Sequence, residues 1–550
     1  MKRFFSAFLL ALYLIPAITF AQQVSKVEEL DASFLNWHNM DQKSDKVAGV
    51  SVNKAYLEFL KDKKPKKKVV VAVIDSGVDI EHEDLQGKIW VNKKEIPGNG
   101  IDDDGNGYID DIHGWNFLGN AAGENIRDEN LEQTRIVRNL QPVFKNIASI
   151  EEVPADQVEA YKMYLECKKV FDEETAQHKA RRKDLEAFEK RMFQAEEIIK
   201  KHLNKDSFSP DDVYKINSSN EAVVWAKNFL EPRYKQGFNR EMLEGMKERN
   251  SLQLDKYYNL AFEPRKIIND DIEDINDRYY GNADVKGDRA DHGTLVAGLI
   301  AAIRNNGIGI DGIADHVEIM VLRTVPHGDE LDKDVALSII YAVDNGADII
   351  NLSFGKDYSP QKFMVDQAIK YAEDRNVLIV HAAGNGATNI DETERYPTKR
   401  TNENHYVKNW INVGASSKTA NKNLTAVFSN YGEKNVDLFA PGVDVISLYP
   451  ESLYDMTDGT SFSSPVVAGV AALVLSYYPE LTAVELKEAL VKSTVSYGKK
   501  KVLLPNITTR DKKKVKFATL SNTGGIVNAY EALKLAEKMV MEKTVETERR

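Results

Sequence analysis

Residues 457–472, TDGTSFSSPVVAGVAA, join a polar turn to a helix of mostly small and apolar residues. Ser461 is expected at the helix N-terminus, where free backbone N–H groups and the helix dipole favour negative charge. Acyl transfer needs a nucleophile beside donors for a developing oxyanion, and this stretch offers both. Ser is also a common N-cap residue, so the stretch alone fits a purely structural helix start as well.

A second polar turn follows the apolar run VVVAVI at residues 69–74. Continuous runs of β-branched residues are typical of strands buried on both faces of a parallel sheet. The run ends in Asp75-Ser76-Gly77, and open α/β sheets carry functional groups just beyond the carboxyl ends of their strands. Asp75 is therefore a candidate functional residue, although an ordinary turn residue fits the same pattern.

Strand and helix patterns alternate along the second half of the chain. Helices are expected at residues 291–302, 332–345 and 360–374, and strands at residues 317–325, 348–353, 377–382, 410–415 and 436–439. This alternation predicts an α/β fold, a doubly wound and mostly parallel sheet with helices on both faces. Thr482 and Glu485 predict a capping box for a later surface helix.

Changes in composition predict the domain boundaries. We expect a signal peptide at 1–21, an N-terminal extension at 22–65, a first domain part at 66–119, a helical insertion at 120–284, a second domain part at 285–540 and a disordered tail at 541–550.

The expected insertion is rich in Glu, Lys and Arg and poor in Gly. An apolar 3-4 spacing predicts the seam of a coiled helical hairpin, carried by Leu185, Phe188, Met192, Ala195 and Ile199. Apolar residues around Tyr161 suggest the partner helix. We find no catalytic pattern in this segment, so it is expected to be structural or to offer contacts to a partner protein.

Composition and the N-terminus bear on the compartment. The net charge is −12 and no basic patch stands out, which argues against nucleic-acid binding. Lys2 and Arg3 precede an apolar run that is too short to span a membrane, and Thr-Phe-Ala before Gln22 resembles a cleavage site. We therefore expect a secreted or periplasmic protein with no transmembrane segment after signal removal. Cys167 is the only cysteine, so no internal disulfide can form.

Residues 101–112, IDDDGNGYIDDI, have the spacing of a calcium-binding loop. The expected ligands are Asp102, Asp104, Asn106 and Asp110, at positions 1, 3, 5 and 9. Position 12 is His113 instead of a bidentate Glu, and Asp111 is the nearest substitute. Structural Ca²⁺ is the prediction, a solvated acidic turn is the alternative, and no cofactor is expected for catalysis.

Four segments resemble the signature blocks of the subtilisin family of serine endopeptidases. They are residues 71–85, VAVIDSGVDIEHEDL; 291–302, DHGTLVAGLIAA; 382–386, AAGNG; and 458–469, DGTSFSSPVVAG. They occur in that family's order, Asp then His then Ser. The resemblance covers roughly residues 69–116 and 287–536, and the helical insertion falls outside it.

The resemblance implies peptide-bond hydrolysis through an acyl-enzyme. Ser461 would be the nucleophile and His292 the general base that later acts as the acid. Asp75 would hold the imidazole in the correct tautomer. Asn385 would form the oxyanion hole together with the backbone N–H of Ser461. His82 and His381 lie outside the family's histidine block.

The resemblance also implies how protein or peptide substrates bind. Ser353, Phe354 and Gly355 would form the edge on which the substrate backbone adds as a strand. Ala383 and Gly384 would line the pocket for the residue before the scissile bond, and their small uncharged walls favour an apolar side chain there.

Two other function classes fit parts of the sequence. A binding protein on a degenerate protease fold could use the insertion as its partner surface. Such a protein would have no reason to keep all four of Asp75, His292, Asn385 and Ser461. A lipase or esterase of the α/β-hydrolase class requires G-x-S-x-G, which GTSFS at residues 459–463 breaks. Phe462 stands where the family usually has Met, and its larger ring is expected to narrow the cleft.

Overall fold

A computed structural model describes residues 25–507 and 513–548. The predicted signal peptide, residues 1–21, lies outside the described residues. The strands are β1 Val69–Asp75, β2 Gly114–Asn116, β3 Val317–Arg323, β4 Ile349–Leu352, β5 Leu378–Ala382, β6 Trp410–Ser416, β7 Leu438–Pro441, β8 Val445–Tyr449, β9 Leu453–Thr457, β10 Val495–Ser496, β11 Lys501–Leu503, β12 Lys514–Lys516 and β13 Gly525–Ile526.

The central sheet has nine strands in the order β10-β13-β7-β6-β5-β4-β1-β3-β2. Neighbouring strands pair in parallel except β10 and β13, which are antiparallel. Strand β1 lies between β3 and β4 and is buried along nearly its whole length, as its run of Val, Ala and Ile residues requires. The predicted α/β fold is confirmed, and β8 and β9 add an antiparallel hairpin that we did not predict.

The helices cover both faces of this sheet. They are α1 Val52–Lys54, α2 Glu132–Phe144, α3 Val158–Leu203, α4 Pro210–Tyr214, α5 Glu221–Lys235, α6 Arg240–Leu252, α7 Asp291–Ala301, α8 Asp332–Asp344, α9 Lys362–Asp374, α10 Thr460–Tyr477, α11 Ala483–Lys492 and α12 Ala529–Glu548. One core contains apolar residues of α7, α10 and α12, and a second contains those of α8 and α9. The predicted capping box is present at the start of α11.

Helix α10 is the central helix of the first core. Among the described residues it is the one helix long and apolar enough to cross a membrane, and 89% of that stretch is buried inside the fold. Its small residues let it pack closely: a Cβ at Gly469 would lie 2.8 Å from the Cβ of Ile313. The helix is therefore a core element of the α/β fold.

The N-terminal extension packs into the same core. Trp37 is fully buried, and its indole Nε1 donates a hydrogen bond of 2.8 Å to the carbonyl of Asp444. Val50, Val52 and Ala55 are also fully buried in that core. Within this extension α1 is followed directly by one π-helical turn, Ala55–Phe59.

The insertion is helical, but its helices pair differently from our prediction. Tyr161 and Met192 belong to one continuous helix of 46 residues, α3, so they are not on two partner helices. The apolar stripe of Leu185, Met192, Ala195 and Ile199 packs instead against residues of α5 and α6. At the C-terminus α12 continues to Glu548, so the tail predicted to be disordered is helical over residues 541–548.

Candidate active site

The candidate site lies at the carboxyl edge of the sheet. Strands β1, β4 and β5 are neighbours or next neighbours in the sheet and end at Asp75, Leu352 and Ala382. Helices α7 and α10 place their first turns over the same edge, so the residues from all four predicted segments can meet there.

Asp75 and His292 form the shortest link between two of these segments. The Nδ1 atom of His292 lies 2.7 Å from Oδ1 of Asp75, a pair separated by 217 residues in the chain. Oδ1 of Asp75 also accepts the backbone N–H of Ser76 at 2.7 Å. Gly293 permits this approach, because a Cβ at that position would lie 2.0 Å from the carbonyl oxygen of Gly77.

The environment of His292 favours its protonated form. Burial lowers the pKa of the imidazole, but the charge of Asp75 and the hydrogen bond to it outweigh burial, and the pKa is raised above the ordinary value. The carboxylate of Asp75 is buried, 1% exposed, so little solvent screens this interaction. An imidazolium formed during proton transfer is therefore stabilised where it arises.

Ser461 is the second residue of α10 and is partly exposed. In this structure its hydroxyl donates a hydrogen bond of 2.9 Å to the carbonyl of Ser353, instead of to His292. The hydroxyl of Ser353 in turn donates to the carbonyl of Ser461 at 2.8 Å. These two bonds join the start of α10 to the segment that follows β4, and proton transfer to His292 requires the Ser461 hydroxyl to rotate.

The side-chain amide of Asn385 has a defined orientation. Its Oδ1 accepts the backbone N–H and the hydroxyl of Thr460, each at 2.9 Å. A backbone N–H can only donate, so the atom facing it must be the amide oxygen. The Nδ2 donors are consequently turned toward Gly459 at the mouth of the site, since a Cβ on that glycine would lie 3.6 Å from Nδ2.

The predicted substrate-binding residues lie on two adjacent segments. Ser353, Phe354 and Gly355 follow β4, while Ala383 and Gly384 follow β5, and the two strands pair up to Leu352 and His381. The hydroxyl of Thr460 accepts the backbone N–H of Gly384 at 3.0 Å. Gly355 is exposed and Ser353 is buried, so the backbone of this segment runs from the core out to the surface.

The two other histidines that we considered have structural partners. His381 is buried, its Nδ1 lies 2.9 Å from Oδ1 of Asn412 and its Nε2 lies 3.0 Å from the carbonyl of Phe354. Burial lowers its pKa. His82 is fully buried, and its Nε2 lies 3.1 Å from the carbonyl of Leu453.

Sequence analysis missed one residue of this site. Thr460 holds both Asn385 and Gly384, and its position directly before Ser461 was the available indication. Phe462, which we expected to narrow the cleft, is buried, and its ring centroid lies 5.4 Å from that of His292, so it packs against the imidazole.

The acidic loop brings together only part of the predicted calcium ligand set. Ligand atoms of Asp102 and Asp104 meet a carboxylate of Glu95, which we did not predict, and the three atoms lie within 4.8 Å of one another. Asn106 instead donates its amide to Oδ2 of Asp111 at 2.9 Å. The carboxylates also accept loop amides: Oδ1 of Asp102, for example, accepts the N–H of Gly105 at 2.7 Å.

The carboxylate of Asp110 does not belong to this cluster, although its backbone N–H donates to Oε2 of Glu95 at 3.2 Å. The Asp110 carboxylate accepts backbone N–H groups of Gly98, Asn99 and Gly100 at 2.8 to 3.2 Å, and the backbone of Asp110 has a positive φ of 56°. A hard cation such as Ca²⁺ prefers oxygen ligands, and three carboxylate oxygen atoms lie close enough together here to bind the same ion. The cluster of Glu95, Asp102 and Asp104 therefore fits a cation, without Asp110 as a direct ligand.

Comparison with known proteins finds similarity to one family of proteases. The model of the Subtilase family matches residues 66–525. Subtilisin BL and Subtilisin Savinase, both of Lederbergia lenta, are each 38% identical over 209 residues, which cover 38% of this chain and 71% of those proteins. A thermophilic serine proteinase of Bacillus sp. (strain AK1) is 40% identical over 191 residues, which cover 34% of this chain and 43% of that protein.

Proposed function

The chain belongs to the subtilase family and is a subtilisin-like serine endopeptidase, and from this premise we propose that Ser461, His292 and Asp75 perform its peptide hydrolysis. The observation that carries the proposal is the 2.7 Å contact between His292 and a buried Asp75, beside the first turn of the helix that carries Ser461. A hydroxyl is a poor nucleophile at neutral pH and needs such an oriented base.

The reaction proceeds through an acyl-enzyme. His292 takes the proton of Ser461 as Oγ attacks the scissile carbonyl, and the imidazolium then protonates the leaving amine. In the second half His292 takes a proton from a water molecule as the water oxygen attacks the ester carbonyl. The imidazolium then returns this proton to Oγ of Ser461 as the ester bond breaks and the acid product leaves. Asp75 accepts the Nδ1–H of His292 throughout, which keeps Nε2 directed at the reacting atoms.

The oxyanion is stabilised by two donors. In this proposal Nδ2 of Asn385 and the backbone N–H of Ser461 donate hydrogen bonds to the negative charge that develops on the scissile carbonyl oxygen. The bonds from Thr460 to Oδ1 of Asn385 support this role, because they fix the amide before the substrate arrives.

Substrate specificity is assigned to the two segments after β4 and β5. Ser353, Phe354 and Gly355 pair with the backbone of an extended peptide, and Ala383 and Gly384 line the pocket for the residue before the scissile bond. Small side chains at this wall favour an apolar residue there. The substrates are therefore proteins or peptides that present an extended strand.

A fluorophosphonate probe tests the proposed nucleophile. The wild type should be labelled and Ser461→Ala should not, while both retain the same thermal midpoint. His292→Ala should also lose peptide hydrolysis, on the order of a million-fold in kcat, as the equivalent loss in subtilisin does. Labelling of Ser461→Ala at the wild-type rate would exclude this serine as the nucleophile.

Two further proposals concern stability and location. We propose that Glu95, Asp102 and Asp104 hold a structural Ca²⁺, with the loop around them supplying the remaining oxygen ligands. We also propose that residues 1–21 direct the protein to the periplasm or the exterior and are then removed. N-terminal sequencing of the protein recovered outside the cytoplasm should then begin at Gln22.

A further inference from the structure

A buried ion pair joins the helical insertion to the substrate-binding segment. Lys356 follows Gly355 directly, and its Nζ lies 2.7 Å from Oε2 of Glu132, the first residue of α2. Both side chains are almost fully buried, 2% and 5% exposed. The pair connects residues 224 positions apart, and it ties the end of the proposed substrate edge to the insertion.

Other polar groups also bind the two side chains of this ion pair. Nζ of Lys356 also contacts the carbonyl of Glu330 at 2.8 Å and a carboxylate oxygen of Asp332 at 2.9 Å. Arg135, one turn along α2, donates to the same Oε2 atom of Glu132 at 2.5 Å. The lysine is therefore held by three acceptors, which restrict its rotation.

The backbone at Lys356 is held in the same way. Its N–H and carbonyl exchange two hydrogen bonds of 2.9 Å with Tyr396. Two residues further on, the hydroxyl of Tyr358 donates to Glu166 of α3 at 3.0 Å, so a second helix of the insertion contacts the same segment. Gly355 is exposed, whereas Ser353 before it and Lys356 after it are buried and hydrogen-bonded. The exposed backbone at Gly355 is therefore fixed on both sides.

We propose that Lys356, through Glu132 of the insertion, is a positioning residue that holds the 353–355 segment in the extended geometry an incoming peptide strand requires. The lysine does not touch the reacting atoms. The insertion thereby contributes to substrate recognition although it lies outside the catalytic groups. This inference rests on the proposed substrate-binding role of residues 353–355.

Substrate length separates positioning from folding. A single-residue ester needs Ser461, His292 and the oxyanion donors, whereas a tetrapeptide amide also needs the paired backbone of residues 353–355. We expect Lys356→Met to lose at least tenfold in kcat/KM on the tetrapeptide, mainly through KM, and less than twofold on the ester, with concentrations set by active-site titration. Glu132→Gln should behave alike, and the double variant should be no worse than Lys356→Met.

Lys333 provides a matched control. It is also a buried lysine that pairs with a buried carboxylate of the insertion, Asp270, at 2.9 Å, but none of its described hydrogen bonds or ion pairs joins residues 353–358. Lys333→Met should therefore affect both substrates equally. Lys356→Arg, which keeps the charge, should recover part of the tetrapeptide activity.

The outcomes are distinguishable. Equal losses on both substrates, or a selective loss in Lys333→Met as well, would overturn the positioning role. If Lys356→Met does not fold, the losses of Glu132→Gln on the tetrapeptide and on the ester are compared instead, and equal losses would overturn the positioning role. If kcat/KM of the wild type does not rise with substrate length, residues 353–355 do not bind the substrate backbone, and the positioning role of Lys356 fails with them. Labelling of Ser461 by the fluorophosphonate probe would be unaffected by that result.

Discussion

At the scale of single residues, we expect the contact between Asp75 and His292 to set the pH dependence of activity. In the proposed mechanism the general base is the neutral imidazole, so activity should be lost as His292 becomes protonated at low pH. Burial disfavours the charge on His292, yet the carboxylate of Asp75 raises its pKa overall. The rising limb of kcat/KM against pH should therefore have a midpoint above 6.5, the ordinary pKa of histidine.

Asp75→Asn gives the corresponding prediction. Removing the charge leaves burial as the dominant effect, so the pKa of His292 should fall and the rising limb should move to lower pH. The amide also favours the wrong imidazole tautomer, and kcat should drop by about 10⁴-fold. A pH series of kcat/KM on one peptide substrate measures both effects. An unchanged midpoint in the variant would mean that another group controls the profile.

The same residues show what sequence reasoning can and cannot reach. Asp75, His292, Asn385 and Ser461 could be proposed from the sequence because they stand in four segments that resemble the signature blocks of the subtilisin family, in that family's order. The contact between Glu132 and Lys356 was not identifiable, because neither residue lies in such a segment and the pair depends on how α2 packs.

At the scale of elements, strands were easier to predict than helix pairing. The run at residues 69–74 became β1 with one more residue, because a strand buried on both faces leaves a continuous apolar pattern. The spacing around Met192 correctly indicated a helix with one apolar stripe, but it carries no information on which helix covers that stripe. The 46-residue length of α3 therefore came only from the structure.

The N-terminal extension should behave as part of the catalytic core. Trp37 is fully buried and its indole donates to Asp444, so Trp37→Ala removes a large side chain and leaves an unsatisfied carbonyl. The free energy of unfolding should fall by about 3–5 kcal/mol. Leu57→Ala is the control, because that side chain is 73% exposed and should change stability by about 0.5 kcal/mol or less. Chemical denaturation measures both, and similar values would show that the extension is peripheral.

The acidic loop should bind Ca²⁺ through Glu95, Asp102 and Asp104. A ligand present at about 100 times its dissociation constant stabilises the folded state by about 2.7 kcal/mol, so added Ca²⁺ should raise the thermal midpoint of the chelator-treated protein. The double variant Asp102→Asn, Asp104→Asn should lose this response. Asp110→Asn should be less stable with and without Ca²⁺ by the same amount, because among the contacts described the carboxylate of Asp110 accepts only backbone amides of residues 98–100. If the Asp110→Asn variant lost the response to Ca²⁺, Asp110 would have to be a Ca²⁺ ligand.

At the scale of the whole molecule, the insertion consists of two parts with different relations to the catalytic fold. Its proximal part, around α2 and the start of α3, has a core of its own, and Tyr358, two residues after Lys356, packs against that core. Its distal part is a separate core formed by the end of α3 with α4, α5 and α6. The two parts meet where Asn250 donates to the carbonyl of His178 at 3.3 Å.

This arrangement predicts that the distal part can be removed without loss of catalysis. Residues 180–248 would be replaced by a short glycine linker, since His178 and Asn250 are already in contact. The proximal core and the pair of Glu132 with Lys356 remain, so kcat/KM on a tetrapeptide should stay within about twofold of the wild type. Cleavage of large folded proteins should change if the distal part controls access to the cleft or offers a docking surface. A loss of tetrapeptide activity in soluble, fully titratable enzyme would show instead that the distal helices support the substrate edge directly.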